Sequence, residues 1–207
     1  QGTGCDSLQG IVTSYEGKDY SAVYDFTYYM DRNPDIKAVY GDDDIGAIEH
    51  FVKVGMSEGR SASAEFDIDS YRRRYADLRR AFGNDKKAYY QHYISYGKSE
   101  GRQGTGCSSL QGAVTMYDGV DYAPVYDYQY YVDHNPDVKA AYGLNDGAVL
   151  EHFVRYGMAE GRTAKESFRA QAYRDRYGDL QQAFGNDWRA YYLHYLEHGL
   201  AEGRQGA

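Results

Sequence analysis

The chain has 207 residues, 42% of them apolar and 26% charged, with a formal net charge of −8. That size fits one large domain or two small ones, and that balance excludes a disordered polymer. The acidic total argues against a nucleic-acid surface, and no apolar run reaches the roughly 18–20 residues of a membrane span.

In chain order, a glycine-rich segment holding Cys5 comes first. No basic-then-apolar leader precedes it. The chain reads as a piece cut from a longer protein, so this says nothing about secretion. Val12-Thr13-Ser14-Tyr15 favours strand, Glu16-Gly17 a tight turn, and Lys18-Asp19-Tyr20 a returning strand. Asp25 then caps a short helix carrying Tyr28 and Tyr29, which Asn33-Pro34 breaks. Proline suits the first position of the next helix, which runs from Asp35 to Tyr40 and stops at Gly41. Asp43 or Asp44 caps a third helix with Ala47, Ile48, Phe51 and Val52 on one face, and Gly55 is expected to end it.

The same design then recurs. His50-Phe51, Gly55 and Glu58-Gly59-Arg60 return 42 residues later as His92-Tyr93, Gly97 and Glu100-Gly101-Arg102. Gln1-Gly2-Thr3-Gly4-Cys5 returns as Gln103-Gly104-Thr105-Gly106-Cys107, and at that shift of 102 the halves align without a gap. Four units result, 24–60, 66–102, 126–162 and 168–204, with hairpin segments before the first and third. In the second and fourth units Ala76 and Gly178 replace proline, so their first two helices are expected to run on with a milder bend. A unit of about 40 residues cannot easily bury its own core, whereas stacked neighbours can. The expected fold is mainly α: four helical units in two tandem bodies, 1–102 and 103–207, each preceded by a short β-hairpin-like segment.

The pattern Tyr126-Asp127, Tyr130-Tyr131, Asn135-Pro136-Asp137-Val138, His152-Phe153, Gly157 and Glu160-Gly161-Arg162 resembles repeat modules of secreted proteins of gut Clostridia. Those modules accompany lysozyme-like or peptidase domains that cut peptidoglycan. The resemblance spans nearly the whole chain. It implies an accessory extracellular module that holds an enzyme at the cell wall or at a glycan, and it carries over no ligand residue.

The residues themselves point away from catalysis. His50, His92, His152 and His194 occur once per unit, without the converging ligands zinc needs. Arg60, Arg102, Arg162 and Arg204 repeat together with Asp35, Asp77, Asp137 and Asp179, as a folding ion pair would. The Arg-rich stretch from Arg72 to Arg80 is thinned in the second half and reads as a solvated helix face. Asp42-Asp43-Asp44 lacks calcium-loop spacing and reads as capping. No metal or cofactor is called for.

Tyrosine is the unusual component, 25 residues against seven Phe and one Trp. Such side chains suit both half-buried packing and sugar stacking. Positions that differ between units are the better ligand candidates, because positions that build the fold should match. They are Trp188, Tyr96 and Tyr156, with Tyr15, Tyr20, Tyr117 and Tyr122 of the hairpins. Cys5 and Cys107 could bridge the halves, pair with neighbouring copies of the repeat, or stay free. The sequence reading is thus a non-catalytic attachment module for peptidoglycan or another glycan. The alternative is a structural spacer or protein-interaction stalk of a surface protein.

Overall fold

A computed structural model describes residues 11–207; Cys5, and with it the proposed bridge to Cys107, lies outside them. The protein is mainly helical, with two small hairpins and four repeated units. In the first hairpin β1 (Ser14–Tyr15) pairs antiparallel with β2 (Lys18–Asp19), Ser14 opposite Asp19 and Tyr15 opposite Lys18. Glu16 and Gly17 between them both take positive φ, the turn that matches strand twist. β3 (Met116–Tyr117) and β4 (Val120–Asp121) repeat the arrangement around Asp118 and Gly119.

The first unit comprises α1 (Phe26–Arg32), α2 (Pro34–Tyr40) and α3 (Asp44–His50), which passes through a π-helical segment, Phe51–Gly55, into α4 (Met56–Glu58). The second has α5 (Ile68–Arg74), α6 (Ala76–Phe82) and α7 (Lys86–His92), extended by the π segment Tyr93–Gly97. The third has α8 (Tyr128–His134), α9 (Pro136–Tyr142) and α10 (Asp146–His152), extended by Phe153–Gly157. The fourth has α11 (Ala170–Arg176), α12 (Gly178–Phe184) and α13 (Trp188–His194), extended by Tyr195–Gly199.

Local chemistry sets most of these bounds. The Asp25 carboxylate accepts from the Tyr28 amide at 2.7 Å, and Asp127 from Tyr130 at 2.8 Å. Asp43, not Asp44, caps α3 by accepting from Gly46. Asp44 instead accepts from the Val12 amide and ties the hairpin segment to the helix; Asp146 does the same for Val114. Gly41 ends α2 at φ 52°.

Two expectations fail for identifiable reasons. Gly55 does not end the third helix. A Cβ there would sit 2.7 Å from the Tyr29 hydroxyl, and the chain widens into a π turn beneath that ring before stopping at left-handed Gly59. Nor do the first two helices of the second and fourth units run on. Tyr75 and Tyr177 are extended at the break despite the missing proline. Arg79 donates to the carbonyls of Arg72 and Arg73, and Gln181 to that of Arg174, satisfying the end of the preceding helix. In the other two units Asn33 and Asn135 do this work by donating to the Tyr29 and Tyr131 carbonyls.

Units associate in pairs through aromatic rings. Phe51 meets Tyr90 edge-on at 5.6 Å, and Phe153 meets Tyr192 in the same way. The Tyr90 and Tyr192 hydroxyls then donate to the Arg60 and Arg162 carbonyls, so these buried rings leave no lone polar tip. Each pair has its own core, one built around Tyr29, Phe51, Tyr71 and Tyr90, the other around Tyr131, Phe153, Tyr173 and Tyr192.

The compact modules divide at Ser109/Leu110 rather than at the expected 102/103. Hydrogen bonds tie the segment back: the Asp67 amide donates to the Gly104 carbonyl, and the Cys107 amide to Ser70 Oγ. The segment after Arg102 therefore completes the module before it. The second module ends alike, with the Arg169 amide donating to the Gly206 carbonyl. Among the described residues, no helix is long and apolar enough to cross a membrane.

Candidate functional site

The side chains common to all four units are occupied with one another. The hydroxyls of Tyr29, Tyr71, Tyr131 and Tyr173 lie 2.9–3.0 Å from Nδ1 of His50, His92, His152 and His194. Burial, with help from the neighbouring arginine, lowers each imidazole pKa below its ordinary value, which favours the neutral ring. Arg60, Arg102, Arg162 and Arg204 meet Asp35, Asp77, Asp137 and Asp179 at 2.8–2.9 Å. Hydrogen bonds from these arginines hold the Asp35, Asp137 and Asp179 carboxyls below the usual carboxylate range. Among the described residues, no three His, Cys, Asp or Glu side chains converge as a metal site would require.

The Arg-rich stretch is not the solvated face expected of it. Arg72 and Arg79 are buried, Arg74 donates to the Thr105 carbonyl, and Lys86 donates to that of Glu58. These side chains are held within the fold by hydrogen bonds to backbone carbonyls, so they do not project together as one phosphate-binding face.

The candidate aromatic residues separate into three groups. Tyr20 and Tyr122 are buried in the two cores, at 7% and 4% exposure, and offer no face to a ligand. Trp188 is half-buried: its indole lies over Gly161, where an added Cβ would meet it at 3.2–3.5 Å, as the stem of Lys86 covers Gly59 in the first module. Arg174 lies over that indole at 5.4 Å. Tyr96 and Tyr156 are well exposed, each beside the histidine of its unit. Tyr117 accepts from Arg155 Nε at 3.1 Å, and Arg155 joins Tyr156 in lining a pocket of about 220 Å³; Tyr15 packs beneath Lys53. The structure thus groups Tyr117 and Tyr156 around one arginine but does not gather all seven candidates on one surface.

A larger feature occurs at equivalent places in both modules. In the first, a groove of about 670 Å³ runs between the start of α1 and residues 63–65, lined by Asp25, Tyr28, Asp31, Ser63 and Glu65. In the second, a groove of about 590 Å³ runs between α8 and residues 165–167, lined by Asp127, Tyr130, Asp133, His134, Lys165 and Glu166. Tyr28 and Tyr130 are half-buried, and each is flanked by a planar neighbour one helical turn on. The Arg32 guanidinium lies 5.2 Å from the Tyr28 ring centre, and the His134 imidazole stacks on Tyr130 at 3.9 Å, 19° from parallel. The His134 ring is oriented by donating from Nδ1 to the Tyr130 carbonyl.

The chain matches no family model, no curated protein and no solved structure. Chemistry must therefore be read from the grooves themselves. Each offers a flat, partly apolar wall edged by hydrogen-bond acceptors, the combination that orients a small polar ring. Each is open, and its acids are engaged: Asp25 and Asp127 as caps, Asp31 and Asp133 with Lys37 and Lys139.

Sequence reasoning missed these grooves because Tyr28 and Tyr130 match each other and so looked like fold-building positions. A signal was nonetheless present. The equivalent positions of the second and fourth units are Ser70 and Ala172. The aromatic is thus absent from half of the repeats, whereas the core tyrosine beside it is present in all four.

Proposed function

We propose that this chain is a non-catalytic extracellular attachment module that binds cell-wall or other glycan. The observation that carries the reading is the recurrence of one tyrosine-walled, carboxylate-edged groove in both modules. Sugar rings present apolar faces and rims of hydroxyls, so a wall with acceptors beside it matches them. Two such grooves in one chain raise retention on a polymeric ligand through effective concentration, without strong binding at either. The resemblance to modules of secreted wall-lytic proteins supports the same surface role. Against catalysis stands the use of the repeated acids and histidines as caps, ion pairs and ring partners at matched positions of the fold.

The experiment is retention on purified insoluble peptidoglycan and on a glycan array, compared between the intact chain and the double variant Tyr28→Ala with Tyr130→Ala. Retention of the intact chain, lost in the variant while its circular dichroism is unchanged, is the expected result. No retention on either support would turn the assignment toward a spacer or protein-binding stalk.

A further inference from the structure

We propose that the two grooves select neutral, hydroxyl-rich pyranose chains and disfavour anionic polysaccharides; this rests on the glycan reading above and sharpens it. The argument is one of charge at matched positions. Each groove is lined by three carboxylates: Asp25, Asp31 and Glu65 in the first, and Asp127, Asp133 and Glu166 in the second. The first two of each set are equivalent by position, while the third has moved by one residue between modules, so the acidic rim persists through a local change of sequence. Ionised carboxylates only accept hydrogen bonds, and vicinal sugar hydroxyls are the donors that fit them.

The nearby cations offset this rim only in part. Lys37 holds one oxygen of Asp31, while Lys139 and Gln129 hold the two oxygens of Asp133, all on exposed surface where a carboxylate keeps further acceptor sites. Lys165 turns its ammonium to the Ala123 carbonyl, and Arg32 lies over the Tyr28 ring. An acidic sugar entering either groove meets an excess of like charge, three carboxylates against Arg32 and Lys37 in the first and against Lys139 and Lys165 in the second. A neutral ring meets acceptors along the rim and a planar wall at Tyr28 or Tyr130.

The test titrates the full chain, at low salt, with a neutral N-acetylglucosamine oligosaccharide and with a uronic-acid oligosaccharide of equal length. The proposal expects measurable binding of the neutral oligomer and at least about tenfold weaker binding of the acidic one. The double variant Asp25→Asn with Asp127→Asn keeps both helix caps, since Asn145 already caps α10 in this way. It is expected to weaken the neutral oligomer by about tenfold and to narrow the gap between the two ligands. Equal or tighter binding of the acidic oligomer, or a double variant that binds the neutral one as well as before, overturns the selection while leaving glycan binding intact. Binding of neither oligomer, combined with no retention on peptidoglycan, overturns both.

Discussion

Gly55, Gly97, Gly157 and Gly199 each lie where a Cβ would come within 2.3–2.7 Å of a tyrosine hydroxyl. All four lie in π segments and are buried. The absence of a side chain lets the tyrosine lie across the widened turn and reach its histidine. Gly55→Ala should therefore displace Tyr29, break its contact with His50 and overpack the core, lowering stability by about 2–3 kcal/mol. Tyr29→Phe removes only the hydroxyl contact and should cost about 1 kcal/mol. Urea denaturation orders the two; an alanine variant no worse than the phenylalanine variant would mean that the close approach is unimportant. The same histidines set a pH dependence. Burial lowers their folded-state pKa values beneath the ordinary 6.5, so the unfolded chain binds more protons as pH falls. Their contribution is complete above about 6.5 and is lost as pH drops through the folded-state values. Urea midpoints should thus fall between about pH 7.5 and about pH 5, before the arginine-paired carboxylates begin to titrate. A midpoint that is flat or rises toward acid would contradict the sign.

At the scale of single elements, much of the structure is legible because its causes are local. Asp25 and Asp43 cap the helices they precede, Pro34 opens α2, Gly41 closes it, and Glu16-Gly17 turns the hairpin. What the sequence hides depends on contacts distant along the chain. A glycine three residues after an amphipathic stripe looks like a stop, and only the tyrosine from α1 packed above it explains a π turn. The breaks at Tyr75 and Tyr177 look continuous, and only the side chains of Arg79 and Gln181, folded back onto carbonyls, account for them. Besides the match between Tyr28 and Tyr130, distance hides the grooves too, since their walls join a helix to a segment more than thirty residues away. If the break is held by those side chains rather than by the residue at the next helical start, Gly178 is free to change. Nothing lies within 4 Å of a Cβ there, and its φ is not positive. Gly178→Ala should stabilise the protein by about 0.4–1 kcal/mol through the unfolded chain, leaving α11 and α12 separate. A loss of stability would show that the break needs glycine.

For the whole molecule, where one module ends decides which fragment can fold by itself. The sequence places the restart at Gln103, where the words of the first segment return. The hydrogen bonds place it later. The Gln103 amide donates to the Tyr75 hydroxyl at 2.7 Å, the Gly104 carbonyl accepts from Asp67 at 3.0 Å, Thr105 accepts from Arg74, and the Cys107 amide donates to Ser70. Gly104 also packs so closely beside Phe66 and the Glu65 carbonyl that no side chain fits. Cutting after Arg102 removes all four bonds and uncovers Phe66, which is otherwise 1% exposed. At about 1 kcal/mol per net hydrogen bond, together with newly exposed aromatic surface, a first-module fragment ending at Arg102 should be about 4–6 kcal/mol less stable than one ending at Ser109. For a domain of this size that is a large share of total stability, so the shorter fragment should be largely unfolded or aggregate at ordinary temperature. Paired urea or thermal melts of the two fragments decide the matter. Equal stability would return the boundary to Gln103 and make the tail a linker instead of the last structural piece of the module it follows.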